Sequence, residues 1–279
     1  MLIIYSGCGI ISLSRKDQVS NMEYPNAISY RPGSRASRVS FLRSRGEQGR
    51  NPYDGLRSWS AITHGVGAAL AIWGTILLLL RAFLLNLDPW HTVSFAIYGL
   101  SVVGLYTAST LYHCVNAGVS GRIALRKYDH CSISLLIAGS YTPICLTVLR
   151  SQGAWGWGIF AAIWIMAIGS CCLSLLWINA PRWLTSGVYL VMGWLAVFAL
   201  YPLSRAMPAA GMFWLILGGV VYSVGGILYA AKWPGRNNPR FGCHEIFHMF
   251  ILGGSVCHFF LTVSYTHLRA HETDPYLVC

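Results

Sequence analysis

Acidic side chains are scarce in this chain: nine in 279 residues, against twenty lysines and arginines. Charged residues of both signs make up 10% of it, where a soluble domain carries about 25%. So few charges cannot cover a surface that faces water on every side, and a soluble catalytic domain is excluded. Disulfide chemistry is missing too. Nine cysteines are present, but no paired spacing sets up a disulfide framework. Cys114, Cys131, Cys145, Cys171, Cys172, Cys243 and Cys257 fall in or at the ends of apolar runs, where small buried thiols pack as hydrophobes. The opening "MLIIYSGCGIIS" lacks the basic residues that begin a secretory signal, and reads as a poor one.

What is abundant is apolar sequence, 55% of the chain. It falls into seven runs, at roughly 60–80, 91–114, 129–149, 155–178, 183–203, 211–231 and 242–264. Each is about the 20 residues that a helix needs to cross a bilayer. Short connections rich in Pro, Gly, Asn or Arg separate them, such as "NLDPW", "NAPR" and "KWPGRNNPR". Trp90, Trp155, Trp157, Trp177, Trp183 and Trp233 sit near the run ends, as interfacial anchors do. Backbone groups in lipid must be paired within their own segment or in a closed barrel, and runs this long mean helices. The predicted fold is an all-α integral membrane protein, a seven-transmembrane-helix bundle over residues 58–264. Residues 1–57, rich in Ser, Arg, Gly and Asn, read as a disordered basic segment. The tail "SYTHLRAHETDPYLVC" changes character abruptly; residues 265–279 read as non-native, like translated adapter sequence, and carry no functional weight.

The net charge of +11 might suggest nucleic acid, but its distribution excludes that partner. Arg15, Lys16, Arg31, Arg35, Arg38, Arg43, Arg45, Arg50 and Arg57 precede the first span. Arg122, Arg126 and Lys127, then Arg182, then Lys232, Arg236 and Arg240 occupy every second connection. The alternate connections hold only Arg81, Arg150 and Arg205. This asymmetry predicts a cytoplasmic N-terminus and an outside C-terminus, with membrane lipids as the partners. The sequence points to no protein partner and no oligomeric state.

Ionisable groups inside a bilayer are costly and usually functional. Among the acids, only Asp129 and Glu245 fall in predicted spans. "STLYHC" brings His113 to the inner end of span 2, while spans 3 and 7 begin at that same leaflet with Asp129 and with "HEIFH". His244 and His248, four apart, share one helix face, and Ser109 stands in the same relation to His113. Three neutral imidazoles suit Zn²⁺ and leave a fourth position for water. Asp129 is placed to hold an imidazole N–H or that water, and Ser109 can do the same. Asp129 can instead pair with Arg126 or Lys127 at the interface. His64, His130 and His258 read as helix-packing hydrogen bonders. "HEIFH" also matches the zinc-peptidase signature, in which the glutamate is the general base. Here Glu245 lies about 100° around the helix from His244, and membrane follows, so Glu245 is left out of the chemistry. Glu245→Gln is expected to be mild, and His244→Ala to lose the metal.

"SAITHGVG", "STLYHC", "KYDHCSISLLIAGSYTP" and "HEIFHMFILGGSVCHFF", in this order, resemble the haemolysin-III branch of the progestin and adipoQ receptor family. The resemblance covers about 58–264 and implies a seven-helix bundle with an intramembrane zinc near the cytoplasmic face. Residue by residue, it matches Ser109 and His113, Asp129, and His244 and His248 to the family's motifs. Related receptors and alkaline ceramidases imply zinc-dependent hydrolysis of lipid amides; the bacterial branch implies haemolysis or membrane homeostasis. One departure stands out: Arg57 and Ser60 occupy the places of a Glu and an Asn upstream of the helix-1 histidine, His64. Three functions follow as expectations. The first is a zinc hydrolase of lipid amides or esters, with Asp129 and Ser109 catalytic and His113, His244 and His248 as metal ligands. The second is a non-catalytic regulator clamped by zinc. The third is a cytolytic pore, which the sequence disfavours because its spans carry polar groups mainly in one leaflet.

Overall fold

The computed structural model describes residues 55–272, except Ile178, Arg236, Asn237, Pro239 and Arg240, and without the side chains of Arg182 and of residues 265–272. The predicted disorder of residues 1–57 falls almost wholly outside the described residues; of the tail read as non-native, the backbone of residues 265–272 is described, as helix, and residues 273–279 lie outside. Helices α1 (Ser58–Leu84), α2 (Pro89–Cys114), α3 (Val119–Pro143) and α4 (Trp155–Leu176) come first. They are followed by α5 (Arg182–Gly193), α6 (Leu200–Ala206), α7 (Ala209–Ala231) and α8 (Cys243–Glu272). No strand occurs among the described residues. Seven spans are long and apolar enough to cross a membrane, the fifth being assembled from α5 and α6.

Two spans depart from the simple helices expected. The third begins ten residues before its apolar run, at Val119 rather than 129. This early stretch is held by Arg122, fully buried, whose Nη1 donates to the carbonyls of Tyr112 and Val115 at the end of α2. Its guanidinium also lies over the Tyr112 ring, 4.7 Å from the centroid. A cation on unsatisfied C-terminal carbonyls stabilises the helix end, and here it fixes the turn that carries His113. The same span continues past Pro143 as a π turn, Ile144–Val148, and a 3-10 turn, Leu149–Ser151. Proline has no N–H to donate and crowds the preceding turn, so the regular ladder changes register there.

The fifth span is broken. Between Gly193 and Leu200 the chain forms a 3-10 segment, Trp194–Ala199. Gly193 is a weak helix former, and Pro202 removes a donor in the following turn. Tyr141 of α3 takes up the backbone groups this releases: its hydroxyl donates to the Gly193 carbonyl at 2.6 Å and accepts from the Ala196 N–H at 2.9 Å. The break is thus satisfied from the centre of the bundle, where α3 is the most buried span. Phe95, Leu105, Ala138, Cys145 and Ile163 fill the core between α2, α3 and α4.

At the end of the bundle remote from the histidines, Asp88 caps α2. Its carboxylate accepts from the Trp90 N–H at 2.9 Å and pairs with Arg150 Nη2 at 2.6 Å. The Trp90 hydrogen bond first, and then Arg150, hold the Asp88 carboxyl below its ordinary value of 3.8. A depressed folded-state pKa contributes stability that is present above the ordinary value and fades as pH falls below it. Solvent reaches the pair, so the ion pair adds little and the cap dominates. Asp88→Ala is expected to cost about 1 kcal/mol, a fall of about 2–4 °C in melting temperature. The difference from wild type should shrink in thermal melts taken in acid.

Candidate metal centre

The chain ends that face one another at one end of the bundle are the start of α1, the end of α2 and the start of α8, with the first half of α3 alongside. His113 lies one residue from the end of α2, and His244 and His248 lie in the first two turns of α8. Residues four apart on a helix point the same way, so α8 offers both rings to one point. The structure brings all three Nε2 atoms there: His244 Nε2 is 3.2 Å from His113 Nε2 and 3.1 Å from His248 Nε2. Three nitrogens bound tetrahedrally to one ion at 2.0–2.1 Å stand about 3.3 Å apart, so the cluster has nearly the spacing a single ion imposes. His113 and His248 are buried and His244 is half-buried.

The protonation pattern fits as well. His113 Nδ1 lies 2.6 Å from the Gly55 carbonyl oxygen. A carbonyl only accepts, so the neutral ring carries its proton on Nδ1 and presents a lone pair at Nε2. Anchoring of the second ring nitrogen by a backbone carbonyl is the arrangement that orients metal-bound histidines. Three histidines so disposed, two of them buried, could bind a metal ion.

Asp129 is not among the donor atoms of that cluster. Asp129 is buried on α3, and the Ser109 side chain, one turn before His113 on α2, lies beside its carboxylate. His130 Nδ1 lies 3.6 Å from the carboxylate, at Oδ2. Of the cations the sequence offered as partners, Arg126 acts on Asp129 electrostatically and directs Nη1 to Asn179 Oδ1 at 3.4 Å. Asp129 is therefore linked to the turn that bears His113 through Ser109.

His64 packs against its neighbours by ring contact. Its ring stacks on that of His248, with centroids 3.7 Å apart and planes 24° from parallel, and meets Tyr106 edge-on at 5.0 Å. Neither of its ring nitrogens has a hydrogen-bond partner among the described residues. Ring stacking takes the place of the hydrogen-bonding role expected from sequence. His258 likewise stacks, on Tyr222, with centroids 5.4 Å apart.

Glu245 stays outside the donor cluster, as its position around the helix predicts. The structure adds partners that the sequence does not suggest. Glu245 Oε1 pairs with Arg57 Nη1 at 2.8 Å and accepts from Ser60 Oγ at 3.5 Å; Oε2 accepts from the Gly242 N–H at 2.8 Å. The last contact is the glutamate arm of a capping box at the start of α8. Arg57 and Ser60, the two residues that depart from the expected helix-1 pattern, thus both meet this carboxylate.

Comparison with known proteins gives the family. A family described as "Haemolysin-III related" matches residues 57–259. The chain is 38% identical over 206 residues to "Hemolysin-3 homolog" of Bacillus subtilis (strain 168), covering 74% of this chain and 92% of that one. It is 36% identical over 206 residues to "Hemolysin-3" of Bacillus cereus, covering 74% and 90%. It is 26% identical over 212 residues to "Monocyte to macrophage differentiation factor" of Homo sapiens, covering 74% and 82%.

Proposed function

This chain belongs to the haemolysin-III related family, and from that premise we propose that it is a zinc-dependent hydrolase of amide or ester bonds in membrane lipids. The observation that carries the proposal is the convergence of His113, His244 and His248 at Nε2, with a buried carboxylate one helical turn away through Ser109. Nitrogen-only donation suits zinc, and three protein ligands are the count of a catalytic zinc site, which keeps one position open. When bound, zinc supplies a Lewis acid and acidified water.

The chain's own residues do the rest. Gly55 fixes the His113 ring by its Nδ1 proton. Asp129 would take up, at a carboxylate oxygen, the proton released by the water that attacks the lipid carbonyl, and return it to the amine or alcohol that departs as the carbonyl C–N or C–O bond breaks. Ser109 orients that carboxylate. Tyr229 and Phe247 set aromatic rings against His244 and His248. The charge asymmetry of the connections supports a site open to the cytoplasmic leaflet of a bacterial plasma membrane, where lipid turnover would contribute to membrane homeostasis.

A purely structural zinc clamp between α2 and α8 is the poorer reading. These helices are already tied deeper in the bundle: Tyr106 Oη donates to Ser255 Oγ at 2.8 Å, Tyr222 Oη lies 3.0 Å from the same oxygen, and Tyr106 Oη also reaches the Ile251 carbonyl at 3.3 Å. The test is metal analysis of purified protein together with fatty-acid release from ceramide-like and phospholipid substrates. About one zinc per chain and chelator-sensitive release are expected. Zinc-loaded protein that releases no fatty acid from any of these substrates overturns the hydrolase.

A further inference from the structure

The stretch just before α1 grips both metal-bearing helices at once. The Gly55 carbonyl accepts from His113 Nδ1 at 2.6 Å. The Arg57 N–H donates to the His113 carbonyl at 3.1 Å, so the backbone and the ring of the same ligand are held from one side. The Arg57 guanidinium then reaches Glu245, next in sequence to His244, at 2.8 Å. Glu245 in turn closes the first turn of α8 on the Gly242 N–H at 2.8 Å. Three residues thus fix the ring orientation of the α2 ligand and dock the α8 turn that carries the other two.

We infer that Gly55–Arg57 is a positioning strap for the metal centre, with Glu245 as its anchor on α8. The inference rests on the proposed metal site. Two further features support it. The Glu245 side chain is almost fully buried while Arg57 is partly exposed, so Arg57 is the countercharge that makes a buried carboxylate tolerable there. The strap also runs too close to α2 for a side chain at residue 55: a Cβ on Gly55 would stand 2.3 Å from the Tyr112 ring and 2.9 Å from Arg122 Nη2. Glycine is what lets its carbonyl approach His113. The ion pair raises the expected cost of Glu245→Gln above the mild effect that the sequence suggests.

Cobalt titration of the metal-free, detergent-purified full chain tests this. The ligand-field spectrum reports the donor geometry, and all proteins are compared at a temperature where each remains folded by circular dichroism. Loss of a partner that orients a metal ligand typically weakens metal affinity by about 10–100-fold. Arg57→Ala and Gly55→Ala should each weaken cobalt binding at least about tenfold and alter the spectrum, and Arg57→Lys should restore much of both. Wild type that binds no cobalt sinks the metal site itself. Wild type, Arg57→Ala and Gly55→Ala binding equally, with one spectrum, leave the metal site standing and overturn the strap. Should Arg57→Ala fail to fold, Gly55→Ala and Arg57→Lys decide by the same criteria.

Discussion

Replacing His244 and His248 together by alanine should abolish metal binding, taking zinc from about one per chain to background, and abolish any lipid hydrolysis with it. His113 would remain as a lone imidazole, and one nitrogen donor cannot compete with water and buffer for the ion. The bundle should survive, because Tyr98, Tyr106 and Tyr222 converge on Ser255 and tie α2, α7 and α8 without the metal. The double variant does strip the ring on which His64 stacks, so its melting temperature should fall somewhat while its helical circular dichroism persists. His258→Ala is the matched control. It removes a buried histidine from the same helix, one that stacks on Tyr222 away from the cluster, and it should keep its zinc. Full zinc content in the double variant, measured by elemental analysis, would falsify the assignment of these ligands.

Much of this centre is legible in the sequence because it depends on regular geometry. The seven spans follow from run length against bilayer thickness. The pairing of His244 with His248 follows from helical periodicity, and the meeting with His113 from the alternating direction of the spans. Periodicity does not reach the neighbour of Asp129 on the adjacent helix, the Ser109 side chain.

The contacts that escaped the sequence reading depend on how helices cross. Arg57 and Glu245 are 188 residues apart, and each taken alone reads as an interfacial charge. The His64 stack requires knowing that α1 and α8 bring their two imidazole rings to within 3.7 Å. The break in the fifth span carries weak local signals, Gly193 and Pro202, inside an otherwise unbroken apolar run. What stabilises the break is Tyr141, an aromatic residue 52 positions from Gly193. Apolar patterning reports that a segment crosses the membrane; it does not report which buried hydroxyl satisfies a broken ladder.

The sharpest separation between a catalytic and a structural metal site comes from Asp129→Asn. Asparagine keeps the size of the side chain and an acceptor for Ser109, so the contact between α3 and α2 is preserved. It cannot take up a proton. Removal of a general base typically costs about 10²–10⁴-fold in rate, so fatty-acid release should fall by about that factor while zinc content and melting temperature stay near wild type. The metal is expected to stay because Asp129 lies outside the donor cluster and the His113 ring is oriented by Gly55 instead. Ser109→Ala should fall between the two: the carboxylate survives but loses its orienting hydrogen bond, worth about 1 kcal/mol, so release should drop by about five- to tenfold. Zinc loss in Asp129→Asn would mean that the carboxylate belongs to the binding site rather than to proton transfer. Unchanged release with zinc retained would move the chemistry away from Asp129 altogether.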